Sequence, residues 1–162
     1  MVFFVFLAAG AAFVWWTSGD LPEVVASHFG AAGAANGFMP RGSFVASMLA
    51  MVVLVPAFLH SLGWLSARIP ARFVNLPNRH HWLAPERRDA TLKSLGRFGS
   101  WLGYATLALL CALDWLVVRA NAQQPPRLEQ APLVGLVSIY LVVLLVGVVV
   151  VLARFFRVPG SP

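Results

Sequence analysis

Residues 133–152 read LVGLVSIYLVVLLVGVVVVL, twenty in a row without a Lys, Arg, Asp or Glu. A bilayer core about 30 Å thick takes roughly 17 to 25 helical residues to cross, at about 1.5 Å of rise per residue. The run is therefore long enough, and a helix closes its backbone hydrogen bonds internally where no water is at hand. Three other stretches meet the same test, at about 1–17, 43–65 and 98–118. Together they predict an all-α integral membrane protein: four transmembrane helices in a single membrane domain over residues 1–162.

Composition agrees. Hydrophobic residues make up 59% of the chain and charged residues 11%, whereas soluble domains carry about a quarter charged residues. A net charge of +6 suggests nucleic acid only where the basic residues form a face on a soluble fold. Here they lie between apolar runs, so the sequence points to a lipid bilayer and away from nucleic acid. The single cysteine, Cys111, lies in an apolar run and reads as a small buried hydrophobe.

The first run, MVFFVFLAAGAAFVWWT, has no basic start, and Trp15 and Trp16 stand where a signal peptide would need small residues for cleavage. It reads as an uncleaved anchor with tryptophans at the interface. Pro56 lies inside the second run, where a missing N–H and ring clash predict a kink that neighbouring helices can accommodate. Gly10 among the alanines of span one, and Gly99 and Gly103 in span three with Ala108 and Ala112 beyond, offer close helix contacts. Span four is bulky and β-branched, so most of its surface is expected to face lipid or a partner.

Lys and Arg set the orientation. The connection between spans two and three carries Arg68, Arg72, Arg79, Arg87, Arg88, Lys93 and Arg97. Arg41, Arg119 and Arg127 lie on the opposite side, and Arg154 and Arg157 in the C-terminal tail. The positive-inside rule then predicts both termini in the cytoplasm, an ordered outer loop before span two and a basic cytoplasmic loop after it.

In the outer loop, Ser18 or Asp20 is placed to cap a short helix with Pro22 in its first turn and Glu23 at its positive end. Gly30, Gly33, Asn36 and Gly37 then suit turns needing positive φ. His28 with Asp20 and Glu23 is a loose set for a metal; a histidine tying the loop together is the plainer reading. No Gly-Lys-Ser/Thr follows the glycines, so no phosphate loop is spelled.

The basic loop concentrates its polarity in NLPNRHHWLAPERR, residues 75–88. Pro77 and Pro85 push the residues before them away from helix, and Pro85 followed by Glu86 is a good helix start. A helix from Pro85 to about Val118 would be roughly 50 Å long, so its first turns must leave the bilayer or lie along its surface. Two readings of the cluster stand side by side. Arg79, His80, His81, Arg87 and Arg88 converge on an anion such as a lipid phosphate at the helix start. Alternatively the charge serves topology, Trp82 anchors at headgroup level, and Asn75, Trp82 and Glu86 hydrogen-bond the loop to helix ends. Adjacent histidines point apart on a regular backbone and no His-Glu-x-x-His spacing occurs, so catalysis is the weakest reading.

Two residues inside the spans are polar enough to weigh. Asp114 is the one carboxylate within a span, about one turn from the outer end, and is expected to pair with Arg41 or to accept hydrogen bonds from Thr17 or the outer loop. His60 lies nearer the inner face, more than about 15 Å from Asp114 by helix rise, too far for a direct proton relay.

Leu21-Pro22-Glu23, His28-Phe29, Gly33, Asn36-Gly37 and Arg41, followed one span later by residues 75–88, resemble two signatures of a bacterial membrane family, the domain of unknown function 1648. The similarity covers roughly residues 20–90. Ala35 stands for the usual proline, Asn36 for the aspartate and Arg41 for the lysine. The resemblance implies a small polytopic protein of the bacterial inner membrane without a cofactor, acting by interaction in the manner of the family's SdpI-like members, which include the immunity protein of the sporulation-delaying toxin. The expected partners are the bilayer, with anionic lipid at the cytoplasmic loop, and another membrane protein. An accessory subunit of a larger membrane complex is the alternative, ahead of a transporter or membrane enzyme.

Overall fold

The structure, a computed structural model, describes residues 1–66, 68, 70 and 73–157. The chain runs α1 (Val2–Thr17), a 3-10 turn (Ser18–Asp20), β1 (Val24–Phe29), β2 (Ala35–Pro40), α2 (Arg41–Ser66), α3 (Arg79–Trp82), α4 (Pro85–Asn121) and α5 (Gln130–Phe156). Four of the described helices are long and apolar enough to cross a membrane, which makes this a multi-pass membrane protein. Each expected span lies within one of them. The largest extension is α4, whose 37 residues begin at Pro85 as the sequence predicts and reach about 55 Å, well beyond the bilayer core. Arg72, counted in the basic loop, lies outside the described residues.

Helices α1, α2 and α4 form the core. Phe3, Leu7 and Val14 recur on one face of α1 and pack against Phe44, Met48 and Val52 of α2 and Leu107 of α4. Gly10 completes that face, because a Cβ there would lie 2.8 Å from Leu107 Cδ1 and 3.3 Å from Cys111 Sγ. The glycines of α4 allow the closest approach. A Cβ on Gly103 would stand 3.0 Å from the Pro56 carbonyl, and one on Gly99 3.0 Å from that of Leu59. The expected glycine contact therefore lies over the proline turn of α2. Ala108, by contrast, is exposed rather than at a helix contact.

Helix α5 is peripheral. It packs on α4, with Thr106 Oγ1 and Tyr140 OH 3.0 Å apart. No residue in its most apolar 18-residue stretch is buried within the chain. Spacing explains this: Val and Leu recur all around α5, so no face is set apart for the core.

The segment before α2 departs from expectation. In place of a capped short helix with Pro22 in its first turn, a single 3-10 turn ends at Asp20, Pro22 lies in the extended link that follows, and an antiparallel hairpin takes over. Val24 pairs with Pro40, Val25 with Met39, Ala26 with Phe38, His28 with Gly37 and Phe29 with Ala35, with irregularities on either side of His28. The residues fit a pleated surface better than a helix: Val24, Val25 and Phe29 have β preference, and Pro40 sits at a strand end. Among the described glycines only Gly33 has a positive φ, at 79°. A side chain at Gly33 would also run into the Leu128 carbonyl, so glycine is required twice over. Gly30, Asn36 and Gly37 do not adopt the positive φ expected of them.

Candidate functional site

The polar residues gather at the two ends of the bundle. At the hairpin end, Asn121 in the last turn of α4 meets the buried edge of β1. The Ala26 N–H donates to Asn121 Oδ1 at 2.8 Å, and Asn121 Nδ2 donates to the Ala26 carbonyl at 3.0 Å and to the Val117 carbonyl at 2.9 Å. One amide side chain thus pairs both backbone groups of a fully buried strand residue, as a third strand would. Two further ties hold the hairpin. Arg41 Nη1 donates to the Leu21 carbonyl at 3.1 Å and the Gly19 carbonyl at 3.4 Å, and the Leu128 N–H donates to the Gly33 carbonyl at 2.8 Å.

Asp114 lies two turns deeper and is 0% exposed. The Thr17 hydroxyl lies 2.9 Å from its Oδ2, 2.9 Å from the Phe13 carbonyl and 3.1 Å from the Val14 carbonyl, so one hydroxyl proton serves three acceptors in turn. Of the expected partners of Asp114, Thr17 is the one in place; Arg41 is committed to backbone carbonyls. Asp114 Oδ1 and Ser18 Oγ are buried without a hydrogen-bond partner among the described residues. His60 stacks flat on Phe3 with ring centroids 3.9 Å apart. It packs beside Gly103, eleven residues or about 16 Å of helix from Asp114, so the two are not joined.

At the other end, the cluster of residues 75–88 serves α5. Asn78 adopts the left-handed conformation, φ 52° and ψ 38°, which asparagine tolerates best after glycine. Its Nδ2 donates to the Phe156 carbonyl at 3.0 Å and the Phe155 carbonyl at 3.2 Å, and Trp82 Nε1 donates to the Phe155 carbonyl at 2.8 Å. These belong to the last carbonyls of α5, which have no acceptor role left within their own helix. Thr91 Oγ1 donates to the Trp82 carbonyl at 2.9 Å, and Arg154 Nη1 to Ser94 Oγ at 2.8 Å. Trp82 packs edge-on against Phe155 and His81. The segment is a clamp that caps α5 from a distance.

The residues singled out in the sequence divide accordingly. Gly33, Arg41 and Trp82 make structural ties, and Gly37 lies under the His28 ring, with room for a Cβ only 2.9 Å from His28 Cβ. Pro77 precedes Asn78 in the turn, and Pro85 and Glu86 open α4. His28, Asn36, Asn75, Arg79, His80, Glu86 and Arg87 are exposed. Arg88 turns to Asp89 at 3.5 Å, and His81 Nε2 is buried without a partner among the described residues. Among the described residues no three His, Cys, Asp or Glu side chains stand close enough together to hold a metal ion. Sequence reasoning missed Asn121, Asn78 and Thr91. A signal existed for the first: Asp114 and Asn121 are seven apart, hence on one helix face.

Residues 3–54 match the model of the Domain of unknown function (DUF1648). The match covers about a third of the chain: α1, the hairpin and the first half of α2. It includes Thr17, Gly33, Gly37 and Arg41, whereas the clamp on α5 lies outside it. No curated protein and no solved structure matches the chain. Within the DUF1648 region the ordered unit is therefore a hairpin mounted on two apolar helices, completed by Asn121 of α4.

The clamp makes a testable claim. Asn78→Ala removes two donors and places a Cβ residue without a compensating amide at positive φ, at an expected cost of about 1–2 kcal/mol. Trp82→Phe loses one donor, at about 1 kcal/mol. Hydrogen exchange in residues 150–157 should speed up in both variants, more in the first. Unchanged protection would show that α5 holds its end without the clamp.

Proposed function

We propose that this is a small protein of the bacterial inner membrane, with both termini in the cytoplasm and the hairpin outside, that acts by interaction in SdpI-like immunity or envelope signalling. The observation that supports this reading is the way the hairpin is held. Asn121 at the end of α4 holds the Ala26 edge of β1, Arg41 at the start of α2 holds the link before the hairpin, and Leu128 in the α4–α5 connection holds its turn at Gly33, so its outer face keeps one shape. That face carries exposed Asn36 and Phe38, and Phe38 is 58% exposed, while exposed His28 stands over Gly37 on the other side. Beside Phe38 lies a cleft of about 210 Å³ between the hairpin and the α4–α5 connection, lined by Pro125, Pro126 and Arg127. A preorganised surface with a large aromatic beside a proline-walled cleft suits recognition of a protein segment.

The test uses a photo-crosslinking residue at Phe38 in cells of the native host. A defined adduct on the outer side of the membrane, lost on Asn36→Asp or Arg127→Glu, is the expected result. No adduct at 28, 36 or 38, from a protein accessible only from the cytoplasmic side, would overturn it.

A second reading, an accessory subunit of a larger membrane complex, draws on α5. Its outward Ile139, Val142, Val146 and Val150 are each more than half exposed. Crosslinkers on that strip capturing one partner, while those at Phe38 capture none, would favour this reading over the first.

A further inference from the structure

We propose that the groove between the last turns of α2 and the first turns of α4 binds the phosphate group of an anionic membrane lipid. The site lies outside the clamp of residues 75–88, where one of the two readings of the sequence puts an anion, and is independent of the function proposed above.

The groove holds about 680 Å³. Its floor is the place where Gly63 of α2 and Gly96 of α4 meet backbone to backbone. Lys93 and Arg97 are one turn apart on α4, hence on one face, and His60 and Trp64 are likewise one turn apart on α2. All four line the groove together with Ser100, Phe4 of α1 and Ser61, whose hydroxyl donates to the Phe58 carbonyl at 2.7 Å. Because glycine occupies both helices at the floor, no side chain of the described residues fills the space between these cations and the tryptophan.

Charge selects the ligand. Lys93 and Arg97 are exposed, and among the described residues neither has an ion-pair partner. The acid nearest in sequence, Asp89, is turned to Arg88. Arg68 adds a third cation, its guanidinium 3.5 Å above the Trp64 ring. His60, its ring stacked on Phe3, closes one side of the groove. Two cations without an ion-pair partner among the described residues, beside the Ser100 hydroxyl and open space, call for an anion with several oxygens.

Depth makes that anion a lipid's. Arg97 stands seventeen residues from Asp114 on α4, about 26 Å along the helix, close to the thickness of a hydrocarbon core. Asp114 is near one boundary, so Lys93 and Arg97 are at the other, at headgroup level. Trp64 is an interfacial residue there, and exposed Phe4 continues the groove toward the apolar interior. Basic pockets between transmembrane helices at this depth suit anionic headgroups.

Purified full-length protein carrying phosphatidylglycerol and phosphatidylcholine in equal amounts can be followed by native mass spectrometry. The protein should retain phosphatidylglycerol preferentially. Lys93→Gln with Arg97→Gln should weaken that retention roughly thirtyfold, and Lys93→Arg with Arg97→Lys should keep it. Arg87→Gln with Arg88→Gln removes the same charge outside the groove and should change retention by no more than about twofold. Equal loss in both glutamine pairs would show diffuse attraction and overturn the site, as would no loss in either. Displacement of the lipid by millimolar inorganic phosphate would overturn the lipid as ligand. Circular dichroism and a monodisperse elution of each variant separate lost binding from lost folding.

Discussion

Asn121→Leu should be the most damaging single substitution at the hairpin end, at about 4 kcal/mol. The leucine matches the size of the side chain but leaves the Ala26 N–H and C=O without partners, and Ala26 is fully buried. Each such orphaned group costs about 1–3 kcal/mol. Asn121→Asp should fall between: its carboxylate still accepts from the Ala26 N–H but faces the Ala26 carbonyl without a proton to offer. The measurement is the apparent Tm in detergent, together with exchange of the Ala26 amide. If leucine and aspartate both leave the Tm and that amide at the parent's values, Asn121 does not hold the hairpin, and the fixed recognition surface proposed for the outer face falls with it.

Gly63→Ala should have the largest effect in the helix core. A Cβ at Gly63 would lie 2.6 Å from Gly96 Cα and 2.7 Å from the Gly96 carbonyl oxygen, and backbone cannot step aside as a side-chain end can. Overpacking of this kind costs about 1–3 kcal/mol, and Gly63→Leu should exceed that and prevent recovery of folded protein. Gly96→Ala meets Gly63 at 3.1 Å and should be milder. Gly10→Ala should be milder still, because its closest contact is the mobile end of Leu107. Gly135→Ala, with nothing within 4 Å, is the neutral control. A series in which Gly63→Ala behaves like Gly135→Ala would mean that α2 and α4 do not approach this closely, and the floor of the lipid groove would be wrong too.

The same residues show how much was legible in advance. The spans were readable because lipid imposes one local demand, an unbroken run of apolar residues long enough to cross. The start of α4 was readable from Pro85, whose effect on its own and the preceding backbone is also local. Span four, alike on all sides, correctly foretold a helix with little buried surface. Ser18, Asp20 and Pro22 are sound helix-start signals, so the sequence favours a short capped helix and a turn-rich loop where the structure has a 3-10 turn and a hairpin. Those signals were outweighed by a partner ninety-five residues away, the Asn121 amide on Ala26. For residues 75–88 the reading that Trp82 ties the loop to a helix end agrees with the structure, but the part of Asn78 and the identity of the helix do not show in the sequence: the open carbonyls are at the end of α5, more than seventy residues on.

The sequence alone therefore determined that this chain lives in a membrane, where its four helices run, and which segments between them are polar. Those properties depend on hydrophobicity and backbone chemistry summed over neighbours in the chain, and need no knowledge of what lies alongside. Only the tertiary structure decided which polar residue meets which buried carbonyl or N–H, that Gly63 and Gly96 touch, and that Lys93 and Arg97 are left facing open space beside Trp64. Pairings of that kind are set by the packing of helices far apart in sequence, and no local pattern encodes them.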